Sequence, residues 1–158
     1  MNKASSVLQV DVEIVSIAKD IPDATLLTAW AQAAYQDTVI ADVAIRIVDE
    51  IEAAAINEQY RHKAYAPNVL SFPMQIPSDL ELESRPLGDV VICAPVVQRE
   101  ALEQKKALTA HWAHMVVHGL LHLQGYDHEE ATDADEMENL ECQVLAACGF
   151  ANPYVETE

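Results

Sequence analysis

Residues 111–128, HWAHMVVHGLLHLQGYDH, hold five of the chain's six histidines, and their spacing restricts this chain more than any other feature. His118 and His122 are four apart in a stretch of helical periodicity, so both imidazoles leave one face, one turn apart. Gly125 then breaks the helix, and a chain reversal there can bring His128 to the same point. Three imidazoles at about 2.0–2.1 Å from an ion, with a fourth position open to water, make up a catalytic zinc site. A set of nitrogen ligands alone also admits other late first-row metals. An i, i+4 pair by itself is cheap, and the third histidine beyond a helix-ending glycine is what points to a metal.

The pattern H-x-x-x-H-x-x-G-x-x-H has the ligand spacing of the metzincin peptidases, H-E-x-x-H-x-x-G-x-x-H. Those peptidases use the Glu after the first His as general base. Here that position is Gly119, so peptide hydrolysis loses its proton acceptor. His111 and His114 lie on the same helical face before His118 and read as packing residues or partners of the ligands. Asp127, beside the third ligand, reads equally as an imidazole-orienting carboxylate or a turn residue.

The formal charge of −17 is unevenly spread: all nine Lys and Arg precede residue 107, and ten acids follow it. Such a surface repels polyanions, so non-specific coating of DNA or membrane is excluded and any nucleic-acid site must be local and basic. No apolar run approaches the roughly 18 residues of a membrane span. Asp11 and Glu13 interrupt what a signal peptide would keep apolar, which places the chain in the cytoplasm and away from the membrane. Cys93, Cys142 and Cys148 lack CxxC spacing and read as reduced core thiols.

At 158 residues the chain suits a single domain. Val10, Val12 and Ile14 alternate with acids as in a strand with one wet face, and residues 22–37 read as a helix with Pro22 in its first turn. Residues 43–48 read as a second strand, followed by a helix to about residue 60 opened by an Asp49/Glu52 capping box. Strands at 69–72 and 90–93 flank an irregular loop marked by Pro73, Pro77 and Pro86. Pro95 suits the first turn of the helix after them. Thr109 is placed to cap a long helix ending at Gly125, and a last helix, 129–148, turns Met137, Leu140, Val144 and Leu145 inward before Gly149. Four strands and four or five helices make an α+β or α/β domain.

The block HWAHMVVHGLLHLQGYDH resembles the core of the YbeY family of bacterial endoribonucleases, H-G-x-L-H-L-x-G-Y-D-H. IRIVDE (45–50), YR (60–61), NVLSFP (68–73), GDVVIC (88–93) and DEMENLE (135–141) follow that family in order and spacing, so the likeness covers about residues 40–153. The resemblance implies an α+β fold: a small mixed four-stranded sheet with four to five helices, the metal site on a long helix and the turn after it. It implies one zinc ion held by His118, His122 and His128, and cleavage of single-stranded RNA. It also implies 16S rRNA 3′-end maturation and ribosome quality control in the cytoplasm, with the small ribosomal subunit and its assembly proteins as partners. The family's functional arginine carries over to Arg61. The sequence departs from the family between that arginine and Asn68, where it reads His62-Lys63-Ala64-Tyr65-Ala66-Pro67.

Composition gives that segment a role of its own. Residues 59–78 carry Arg61, His62 and Lys63 and no acid, interleaved with Tyr60, Tyr65 and Phe72. Aromatic faces stack unpaired bases while Arg or Lys hold phosphate, although a solvated loop with core aromatics has the same composition. Lys105 and Lys106 read as a solvated helix end. Two rival functions are a zinc hydrolase of peptides or small molecules, disfavoured by Gly119, and a ribosome-assembly binding protein in which zinc organises the fold. An open three-ligand site argues against the second, since structural zinc is usually four-coordinate.

Overall fold

In a computed structural model, residues 7–77, 79–126 and 131–154 are described. Their elements are β1 (Leu8–Ile14), α1 (Ala24–Ala34), β2 (Ala41–Val48), α2 (Glu50–Arg61), β3 (Val69–Pro73), β4 (Arg85–Cys93), α3 (Ala94–Glu103), α4 (Leu108–Leu123) and α5 (Ala131–Ala147). The strands form one mixed sheet in the order β1-β2-β4-β3, with β1, β2 and β4 parallel and β3 antiparallel to β4. This is the expected α+β fold.

Alternation sorts the strand side chains between two apolar clusters. Val43, Ile45 and Ile47 of β2 and Val90 and Ile92 of β4 point into the main core, which α1, α4 and α5 complete with Leu27, Trp30, Trp112, Leu120, Met137 and Leu145. Val91 and Cys93 point the other way, joining Leu70, Ala53 and Val96 in a smaller cluster that includes residues of α2 and α3. α4 is therefore central: it packs against α1, α3, α5, β3 and β4, and eleven of its sixteen residues are buried.

Three local expectations need correction. Asp23, not Pro22, opens α1, its carboxylate accepting from the Leu26 amide at 3.0 Å. Asp49 precedes α2 without capping it, because its carboxylate takes the Ser16 hydroxyl and the Ile17 amide, while Glu52 pairs with Arg46 at 2.8 Å. Thr109 lies inside α4, whose N-cap is Ala107 with no side-chain cap. At Asp49 a tertiary partner outweighed the local capping signal.

The strand at 90–93 begins earlier, at Arg85, and takes in Pro86 and Gly88. Asp42 pairs with Pro86 but Val43 pairs with Gly88, so Leu87 is an extra residue that bulges β4. A bulge is one of the few places where a strand tolerates proline. Gly88 has φ +134°, and a Cβ there would lie 2.1 Å from the Phe72 carbonyl oxygen of β3. Neither the dihedral nor the clash can be relieved without parting β3 from β4. Gly88→Ala should therefore lower the unfolding free energy by about 3 kcal/mol or more, the upper end of overpacking costs. Gly119→Ala, whose Cβ would meet only side-chain atoms, Val90 Cγ1 at 2.7 Å and Val69 Cγ2 at 3.3 Å, should cost less, because a better helix former offsets part of the clash by about 1 kcal/mol. Urea unfolding of both variants checks the order.

Candidate metal centre

α4 presents its histidines as a ladder: ring centroids are 6.3 Å apart from His111 to His114, 6.4 Å from His114 to His118 and 5.8 Å from His118 to His122. His118 and His122 are thus brought together one turn apart on a half-buried part of the helix, as their spacing predicts. The helix ends in a paired reversal. The Gly125 amide donates to the His122 carbonyl at 3.1 Å, and the Tyr126 amide donates to the Leu121 carbonyl at 3.2 Å. Gly125 takes the left-handed φ of +100° that this motif needs. Gln124 pins the same end to α1, donating to the Ala34 carbonyl at 3.0 Å and accepting from the Gln36 amide at 2.8 Å. The chain therefore turns at the point expected from Gly125. His128 and Asp127 lie outside the described residues, and among the described residues no three His, Cys, Asp or Glu side chains form a metal-holding group.

Glu141, on α5, closes the DEMENLE stretch, and sequence reading gave it no role of its own. It is completely buried, and its Oε2 lies 2.8 Å from His118 Nδ1 and 3.3 Å from His114 Nε2. Its Oε1 accepts from the Tyr154 hydroxyl. Burial alone would push the Glu141 carboxyl up, but hydrogen bonds from His114, His118 and Tyr154 outweigh it and hold the group at about 2. The Tyr154 phenol is pushed up by its own burial and by the neighbouring Glu141 carboxylate. A signal for Glu141 was present: it lies four residues from both Met137 and Leu145, on the inward stripe of an acidic helix.

A bound carboxylate on one ring nitrogen is how metal-ligating histidines are commonly held. With Nδ1 of His118 turned to Glu141, Nε2 is the ring nitrogen that would meet an ion. Two imidazoles one turn apart, one of them braced by a buried carboxylate, fit a nitrogen-preferring ion such as zinc.

The remaining sequence-singled residues separate. His111 turns to α3, its Nε2 2.9 Å from Glu100 Oε1, and Glu100 in turn accepts from Asn68 Nδ2 at 3.1 Å. Burial pushes the His111 imidazole toward its neutral form against the pull of Glu100. His111 is thus a packing residue, whereas His114 joins the Glu141 cluster. Gly119 faces the sheet, its would-be Cβ 2.7 Å from Val90 Cγ1, which is why a peptidase-like Glu has no room there. Ser71 Oγ donates to the Gly119 carbonyl at 3.1 Å and fastens the same close approach. Of the three free thiols Cys93 is buried, while Cys142 and Cys148 are only half-buried.

Arg61 is the last residue of α2, exposed, and makes no ion pair among the described residues. His62 follows in a left-handed conformation, φ +60°, and Asn57 Nδ2 holds the Tyr65 carbonyl at 2.9 Å. Tyr60 and Tyr65 are exposed, and Tyr60 meets the Phe72 ring edge-on at 5.2 Å. That pair walls a groove of about 860 Å³ on the sheet face remote from α4, but Asp11, Glu13 and Asp89 line it too. Arg61 itself does not line this groove, whose acids disfavour phosphate.

A family model described as Endoribonuclease YbeY matches residues 3–149. Proteins named Endoribonuclease YbeY from Pseudomonas entomophila and Methylococcus capsulatus are each 54% identical, over 138 residues (87% of each chain) and 136 residues (86% of this chain, 89% of the relative). One from Pseudomonas putida is 49% identical over 151 residues, 96% of each chain. The solution structure of a Thermotoga maritima protein shares the fold, with a TM-score of 0.52 at 22% identity over 91% of this chain and 99% of that one. On the motif order along the chain and these matches, the chain belongs to the Endoribonuclease YbeY family.

Proposed function

We propose that this protein is a zinc-dependent endoribonuclease that cuts single-stranded RNA in late maturation of the 16S rRNA 3′ end and in ribosome quality control. Its substrate is then the 16S rRNA precursor on the small ribosomal subunit, met among assembly proteins in the cytoplasm. The observation that carries this reading is the His118–Glu141 pair beside His122, in a chain whose close relatives bear the endoribonuclease name. No helix of the described residues is long and apolar enough to cross a membrane.

His118, His122 and His128 would hold the one zinc ion. When bound, zinc supplies a Lewis acid for a phosphate oxygen and a means of activating water near neutral pH. Arg61 offsets negative charge growing on the phosphorus centre, as a preorganised donor does in other transferases and hydrolases. His114, hydrogen-bonded within the Glu141 cluster, is placed to hold or pass a proton next to His118. Exposed Tyr60 and Tyr65 offer stacking faces to unpaired bases beside Arg61 and Lys63.

The test is cleavage of matched single-stranded and duplex RNA by the zinc-loaded protein, with casein as a third substrate. Cleavage of the single strand in clear preference to the duplex, and none of casein, is expected. Casein hydrolysis without RNA cleavage would transfer the site to the peptidase class.

A further inference from the structure

We infer that Glu141 is a positioning residue for the His118 imidazole, and that Tyr154, from the segment after α5, holds Glu141 to that task. The inference rests on the metal reading of His118 given above.

A carboxylate buried between two helices in apolar surroundings is costly unless donors meet it. Glu141 is met on both oxygens, by His118 Nδ1 and His114 Nε2 on Oε2 and by the Tyr154 hydroxyl on Oε1. An ionised carboxylate only accepts, so the 2.8 Å contact requires the proton of the His118 ring on Nδ1. The lone pair of that ring then sits on Nε2, the tautomer that a ligand needs. The negative charge behind the ring also makes it a better donor to a cation.

Tyr154 completes the arrangement from the far end of the chain. A Schellman pair, the Gly149 amide on the Ala146 carbonyl at 3.0 Å and the Phe150 amide on the Leu145 carbonyl at 2.9 Å, ends α5. Phe150 then meets Trp30 edge-on at 5.8 Å, and Asn152 Oδ1 accepts from the Tyr154 amide at 2.7 Å. The Tyr154 ring stands edge-on to His114 at 5.4 Å. With its hydroxyl spent on Oε1, the carboxylate keeps Oε2 toward the histidines and cannot swing away. His118 is thus coupled to residue 154 through one side chain that is not itself a ligand.

Zinc affinity, by competition with a chelator, and the ¹⁵N signals of the His118 ring in the metal-free full chain test this. Glu141→Gln should bind zinc about 10–100-fold more weakly, the usual effect of losing such a partner. Tyr154→Phe, which removes only the hydroxyl on Glu141 Oε1 and is hence the milder change to the fold, should show a smaller loss in the same direction. The parent ring should carry its proton on Nδ1, and Glu141→Gln should lose that preference. Zinc affinity within about twofold of the parent in both variants, or a parent ring protonated on Nε2, would overturn the assignment. A parent that binds no zinc at all would instead sink the metal reading, and the ring tautomer would still decide the role of Glu141.

Discussion

Arg61→Ala should leave zinc content and melting temperature nearly unchanged while RNA cleavage falls by about 10²–10³, the loss typical of one charge-stabilising donor and near 3–4 kcal/mol. The structural basis for the unchanged fold is plain. Arg61 ends α2 exposed and without an ion pair among the described residues, so truncation removes no buried contact. Arg61→Lys should rescue only partly, because an ammonium keeps the charge but not the bidentate fork. Binding of uncleaved RNA should weaken less than turnover, since the contact tightens as charge develops on the phosphate. Gel-shift and single-turnover measurements on the same preparations separate the two. Cleavage at the parent rate would remove Arg61 from the mechanism, and the atypical residues 62–67 would be the first place to look for the replacement.

Losing a ligand should act on the metal itself. His118→Ala, His122→Ala and His128→Ala should each weaken zinc binding by on the order of 10²-fold or more, beyond the 10–100-fold seen for partners that only support a ligand. His62→Ala should retain full zinc, because His62 ends α2 and is not among the histidines that α4 brings together. Loss of metal should also lower the melting temperature, because whatever binds the folded chain alone stabilises it. His118→Ala carries a second penalty, in the stability of the metal-free chain. It removes one of the donors that keep the buried Glu141 carboxylate satisfied, and such a group left short of partners costs about 1–3 kcal/mol or more. Calorimetry of the metal-free chains should therefore show His118→Ala less stable than the parent.

Periodicity placed the four strands and five helices because alternating and 3.6-residue patterns report which face is buried, and burial is what the two clusters supply. Gly125 and Gly149 were legible as helix stops for the same reason, since a left-handed residue there is a local requirement. What escaped was whatever depends on a partner far along the chain. Asp49 has the look of a cap, yet Ser16, thirty-three residues before it, takes its carboxylate. Pro86 argues against a strand until the bulge at Leu87 is known. Glu141 sits among the acids of α5 and only its register marks it as inward. Its partners, His118 and Tyr154, lie on other segments. Gly119 was legible as the absence of a base, but not as the residue that lets α4 approach β3 and β4.

Zinc per chain and single-stranded RNA cleavage, measured together on the parent and on the three histidine variants, give the most direct test. One zinc per chain with cleavage in the parent, and loss of both in each variant, is the expected result. Stoichiometric zinc retained by all three variants, or undiminished cleavage by a parent stripped of metal, would contradict a zinc-dependent endoribonuclease built on His118, His122 and His128.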